Sequence, residues 1–241
     1  MAPAPKYDQQ TQQRMILSAA EQCINDSSVT DFTMAKVAVC AGLSMGSVYK
    51  FVQSKEDLVL ALACESFRHA SSIYEQVLSL PLHTPERVLA VCLVAPEKMQ
   101  RFAFDYDLQS LSTNEAVIRR ASPFWTEKVI NTCGRCEELF KQTLLQSVDA
   151  KELLDVPNLD EIIEEIMISG WALNVGHDQV QRIQQTKQIT QGNASLQAPL
   201  AINHPIIRSA VRLLNSYPWR YPITDESLTR IEGELEKLEL R

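Results

Sequence analysis

The chain has 241 residues, 45% hydrophobic and 22% charged, with a formal net charge of −7. That is enough apolar material for one large domain or two modest ones. No run reaches the roughly 18 apolar residues of a membrane-spanning helix, and the polar start MAPAPKYDQQTQQR lacks the apolar stretch of a signal peptide, so a cytoplasmic protein is expected.

Only seven glycines are present, and strand-like alternation is hard to find. Gln, Glu, Leu and Ala dominate, so an all-α fold is expected. Residues 1–10 read as a disordered tail. A first helix begins near Thr11, with Met15, Ile16, Ala19, Ala20, Cys23 and Ile24 on one buried face. A turn-rich break at 25–32 follows. Thr33 then caps a helix that ends at Gly42. A short helix follows Ser44 and ends near Val52, and Ser54 caps a fourth. Glu56 and Asp57 occupy its first turn, where negative charge suits the helix dipole.

Helical patterning continues to about Leu80, restarts at Thr84-Pro85 and is interrupted at Pro123. A long helix is predicted over 124–148 and another from about 159 to 176. Residues 186–204 read as a loop. His204-Pro205 opens a helix to about Ser216, and Thr224 caps a last one. The missing signal argues for six reduced cysteines, most of them small core residues.

The stretch from Thr33 to Leu58 carries the sharpest signal. Val37, Ala38 and Ala41 share a helix face, Gly42 permits a left-handed turn, and Leu43, Val48 and Phe51 pin the next helix. That is helix-turn-helix spacing, whose second helix would lie in a DNA major groove. A purely structural hairpin would not present Ser44, Ser47, Tyr49 and Lys50 together on its second helix.

The string T-x-x-x-V-A-x-x-A-G-L-S-x-G-S-V-Y-x-F-V-x-S-K-E-D-L, within residues 11–60, resembles the DNA-binding region of the TetR family of bacterial repressors. The resemblance implies an all-helical fold, with three N-terminal helices on DNA and a larger helical domain that dimerises and binds a small effector. Cys40 and Val52 depart from the commoner Ala and Phe, and both remain apolar. The implied domains are a helix-turn-helix at 11–57 and an effector and dimerisation domain at 58–241.

Carried over, the resemblance implies phosphate contacts from Thr33, Ser47, Tyr49 and Lys55, with Ser44 at the helix start. Hydroxyls, a lysine and free helix N–H groups suit phosphate oxygens. Met45, Gly46 and Lys50 are the candidate base-facing positions. Lys50 suits guanine O6 or N7, Met45 a thymine methyl, and Gly46 close backbone approach.

The acidic total does not exclude a polyanionic partner. Residues 1–60 hold five Lys/Arg and six Asp/Glu. From Phe32 to Lys55, however, there are three lysines and no carboxylate. Screening over about 8 Å makes that local face matter more than the total, and a shallow salt dependence is expected.

Residues 61–241 show no catalytic, cofactor or metal motif, so no enzyme, cofactor or metal is expected. Cys133-Gly-Arg-Cys136 is the exception. It reads as two small packed residues or as a redox pair, with Arg135 able to lower a thiol pKa. Phe67, Tyr74, Met99, Phe102, Phe104, Tyr106, Phe124 and Trp125 are either core or the lining of an apolar effector cavity. The family places its dimer on two late helices. Ile162, Ile166, Gly170, Trp171 and Leu173 on one, with Ile206, Ala210, Leu213 and Leu214 on the other, are the candidates. The tail 224–241 packs on its own subunit or crosses to a second. The expected protein is a homodimeric, ligand-responsive regulator that releases a double-stranded, palindromic operator when an effector binds. A redox-sensing regulator and a ligand-independent DNA binder are the alternatives.

Overall fold

The computed structural model describes residues 7–154, 157–190 and 198–241. Among these are twelve helices: α1 Gln9–Asn25, α2 Met34–Ala41, α3 Met45–Phe51, α4 Lys55–Leu78, α5 Thr84–Val91, α6 Pro96–Met99, α7 Asp105–Ser112, α8 Glu115–Arg120, α9 Pro123–Asp149, α10 Leu159–Thr190, α11 Pro205–Asn215 and α12 Asp225–Lys237. One antiparallel bridge, Leu153 to Trp219, is the only β pairing among the described residues. The all-α expectation therefore holds.

The chain divides into two compact units. The first joins the residues through Ala70 to Gln100–Gly134, and the second joins Ser71–Met99 to Arg135–Arg241. The boundary expected at 57–58 falls instead inside α4, and 35 residues from the middle of the chain pack with the N-terminus. Both α4 and α9 contribute residues to each unit without a break.

The first unit starts with a cap. Asp8 Oδ1 accepts the Thr11 amide at 2.8 Å, which starts α1 two residues before Thr11. The expected tail 1–10 thus becomes helical at Gln9, and residues 1–6 lie outside the described residues. Ile16, Ala20 and Cys23 of α1, Phe32, Val37 of α2, Val48 of α3 and Leu58–Cys64 of α4 build the core. Phe102, Phe104, Leu108, Trp125 and Val129 complete it from the later segment. Buried Asp105 ties the segment down: its carboxylate accepts the Ser66 hydroxyl and the Arg101 amide.

In the second unit α5 packs against α11 and α12. Ile207, Ala210 and Leu214 of α11 and Ile231 and Leu235 of α12 are buried. His204 Nδ1 accepts the Ile206 amide at 3.3 Å, and Thr224 Oγ1 accepts the Ser227 amide at 3.3 Å. Both caps stand where the sequence puts them. The tail packs on its own chain, where Arg230 pairs with the buried Glu86. Arg241 donates to the Leu93 and Leu200 carbonyls, each at 2.9 Å.

The predicted end of the helix at 176 is corrected. Helix α10 continues to Thr190, through a Gln-rich run with few apolar residues. Gln favours helix almost as well as Leu does; the apolar periodicity fades there while the propensity persists. Of the predicted loop 186–204, residues 191–197 lie outside the described residues.

Candidate nucleic-acid interface

Helices α2 and α3 form a helix-turn-helix whose turn is set residue by residue. Thr33 Oγ1 accepts the Lys36 amide at 3.3 Å and starts α2. Gly42 ends it with φ +65, the left-handed region that glycine adopts without strain. The Leu43 amide donates to the Ala38 carbonyl at 3.0 Å, which satisfies an otherwise open helix end. Ser44 then starts α3, its Oγ accepting the Ser47 amide at 3.2 Å. Val37 and Val48 are fully buried between the helices.

The outer side of α3 carries the remaining letters. Ser44, Gly46, Tyr49 and Lys50 are exposed, and Tyr49 retains 47% of its accessible surface. Thr33 and Lys36 are exposed at the start of α2. A Cβ at Gly46 would meet only Ser44 Oγ at 3.8 Å, an ordinary contact. Nothing inside the fold requires glycine there.

Three candidates have internal ties as well. Met45 is half-buried against the core. Ser47 Oγ lies 3.1 Å from Ser44 Oγ. The Lys55 ammonium donates to the Thr30 carbonyl and sits 4.5 Å from the centre of the Phe32 ring. Its charge is partly used within the fold, a role that the sequence did not suggest.

The far end of α3 is braced by Asp57 and Trp125, in a role that sequence reasoning missed. Asp57 is fully buried. Its Oδ2 accepts the Gln53 amide at 2.8 Å, and its Oδ1 accepts the Ser122 amide at 2.6 Å. Trp125 Nε1 donates to the Phe51 carbonyl at 3.3 Å, and the two rings meet edge to face at 5.2 Å. The only hint in the sequence was the Asp of S-K-E-D-L, read there as a charge on the helix dipole.

The effector candidates are spread over both units. Phe67, Phe102, Phe104, Tyr106, Phe124 and Trp125 belong to the first; Tyr74 and Met99 belong to the second. Phe102 and Phe104 stack at 5.2 Å inside the core, whereas Phe124 is 62% exposed. Tyr74 meets Phe140 edge to face at 5.3 Å. A small, mostly apolar pocket in the second unit is lined by Cys92, Leu173, Asn174, His177, Leu200, Ile206, Ile207 and Ala210. Burial pushes the Cys92 thiol up to about 11 and holds His177 below its ordinary value.

Among the dimer candidates, Ile166, Ala210 and Leu214 are buried in their own unit, and Ile162, Leu173, Ile206 and Leu213 pack partly against that core. Gly170 is half-buried. Trp171 is 56% exposed, and Ile168 and Val175, which the sequence reading did not select, flank it on the same face of α10. In the C-x-x-C segment, Cys136 Sγ lies 3.1 Å from Ser71 Oγ, and burial raises its thiol pKa. Arg135 pairs with Glu75.

The helix-turn-helix, held in an all-helical unit with its polar row outward, defines a DNA-binding transcriptional regulator. Residues 16–62 match the family described as bacterial regulatory proteins, tetR family. The match covers the helix-turn-helix segment and does not reach the second unit. No curated protein matches the chain. Among solved structures, the superantigen PfiT is 14% identical, with 88% of this chain and 98% of that one covered at a TM-score of 0.53. E. coli NemR in its reduced form is 12% identical, with 88% and 100% covered at 0.50. FadR of Bacillus subtilis, in complex with stearoyl-CoA, is 14% identical, with 83% and 95% covered at 0.49. At these identities the likeness concerns the fold.

Proposed function

We propose that the chain is a homodimeric, ligand-responsive repressor that holds a palindromic operator through α3 and releases it when a small, largely apolar effector binds its second unit. The exposed row Ser44, Gly46, Tyr49 and Lys50 carries the DNA reading, on a stretch without carboxylates. Thr33, Ser44, Ser47, Tyr49 and Lys55 hold phosphates. Met45, Gly46 and Lys50 face bases. The exposed face of α10 with Ile168, Trp171 and Val175 supports pairing with a second copy, because an apolar strip of this kind is costly in water. Two copies would set their α3 helices in successive major grooves, roughly 34–36 Å apart.

The apolar lining of Leu173, Leu200, Ile206 and Ile207 is the proposed place for an apolar ligand in the second unit, which would have to widen a cavity with room for about one water. Helices α4 and α9, continuous through both units, give ligation there a path to α3 and its Asp57 and Trp125 braces. Release requires that the effector bind the DNA-free state more tightly than the DNA-bound one. Two experiments test the reading. Selection of genomic fragments by the full chain is expected to enrich palindromes, and a thermal-shift screen of apolar ligands is expected to return compounds that reverse that binding. Trp171→Glu is expected to give monomers in sedimentation; a variant that stays dimeric removes the α10 interface.

A further inference from the structure

We propose that the cavity lined by His177 in the second unit takes a neutral hydroxyl compound, a phenol or an alcohol, with its hydroxyl on His177 Nε2. This site rests on the apolar effector reading of the same cavity and supplies the polar end of that ligand. His177 lies on α10, and its Nε2 is buried without a hydrogen-bond partner among the described residues. A buried polar atom of this kind is costly until something pairs with it. The His204 ring stands 5.6 Å away, centre to centre, but its Nδ1 already accepts the Ile206 amide at the start of α11. His204 is committed to that cap, and His177 carries the polar atom left to a ligand.

The lining sets the charge of the ligand. Besides His177 its polar side chains are Cys92 and Asn174, and it contains no Asp, Glu, Lys or Arg. A carboxylate or ammonium placed there would be buried without a counter-charge. The imidazole is itself neutral at neutral pH, because burial holds it below its ordinary value. Its Nε2 then offers a lone pair or an N–H, according to tautomer. A hydroxyl serves either one, since it both donates and accepts; a carbonyl serves only the N–H. Size points to the same group. The cavity has room for about one water, which a hydroxyl matches. The apolar part of the ligand needs more room, and Leu200 is the wall that yields. It lies on an irregular segment rather than a helix, held through its carbonyl by Arg241 at 2.9 Å, with its side chain left to turn aside.

Phenol and toluene test the site, because they differ by a hydroxyl in place of a methyl group. Both are titrated into the full chain, wild type and His177→Phe, by calorimetry, and the His177 ring nitrogens of the wild type are followed by NMR. In the wild type phenol is expected to bind more tightly than toluene and to move the Nε2 resonance, which toluene leaves in place. In His177→Phe the preference for phenol over toluene is expected to fall by about tenfold. If that variant does not fold, the wild-type resonance decides alone. Equal binding of the two compounds, a preference kept in His177→Phe, or phenol binding that leaves Nε2 unmoved overturns the hydroxyl site, while the apolar effector reading stands. Binding of neither compound overturns the site as well; the effector reading then falls only if the screen of apolar ligands returns no compound that reverses DNA binding.

Discussion

Trp125 Nε1 donates to the Phe51 carbonyl at the last residue of α3, and the two rings meet edge to face. A residue 74 positions away thus closes the end of the helix proposed to face DNA. Trp125→Phe keeps most of the apolar volume and leaves that carbonyl without its donor. It is expected to cost about 1–3 kcal/mol. Denaturant unfolding checks it, and an unchanged midpoint would mean that the hydrogen bond contributes nothing.

Asp57 gives a second, stronger brace. Its carboxylate accepts two backbone amides, from Gln53 and Ser122, in full burial. Asp57→Ala strands both donors, at about 1–3 kcal/mol each. The expected outcome is a midpoint lowered further than for Trp125→Phe. Ser122→Ala leaves the same amide in place, so it should behave nearly as the wild type.

Gly46 and Lys50 separate folding from recognition. Gly46→Ala adds a methyl group with only an ordinary contact to Ser44, so circular dichroism and thermal unfolding should match the wild type. DNA binding should still weaken, because the methyl group fills space offered to the partner. Lys50→Ala is expected to relax preference at one base pair, by about 1–3 kcal/mol if it reads guanine. Lys55→Ala differs from both: it removes the tie to Thr30 and Phe32, and stability should fall along with affinity.

Salt dependence follows from the same lysines. In each copy Lys55 is assigned to phosphate and Lys36 is exposed at the start of α2, while Lys50 is assigned to a base. A dimer then neutralises about four phosphates through lysine, which gives a log–log slope of about −4. Titration of the selected fragment against salt measures it. A slope near −10 would show that other cations carry the binding.

His177 makes a separate prediction about pH. Burial holds its ring below the ordinary 6.5, opposed by neighbouring Asp178 and aided by His204. The unfolded chain therefore takes up this proton first as pH falls. Stability is lost below about pH 6.5 and levels off once the folded ring also protonates. His177→Gln should flatten that loss as pH falls through and below about 6.5, read from thermal midpoints. Asp178, raised by burial, is common to both proteins.

Local chemistry made the helix-turn-helix legible. Thr33, Gly42 and Ser44 cap and turn the chain through their own backbone neighbours, and a sequence displays neighbours directly. What bears on α3 from a distance was not legible. Asp57 reads as a dipole charge until Ser122, 65 residues on, is brought beside it. Lys55 reads only as a phosphate ligand, and its second role over the Phe32 ring shows once Phe32 lies under it. The length of α10 was missed because Gln sustains a helix without marking a buried face. On α11 the apolar excess resolved only in part: Ile207, Ala210 and Leu214 are used internally, and the exposed apolar strip lies on α10 instead.

The most direct test of the central claim compares genomic fragments selected by the full wild-type chain with those selected by Tyr49→Ala/Lys50→Ala, after circular dichroism has shown equal helicity. Both residues are exposed and make no contribution to the core. The account predicts that the wild type enriches a small set of palindromic fragments and that the double variant enriches none. Equal enrichment of the same fragments by both proteins would contradict it.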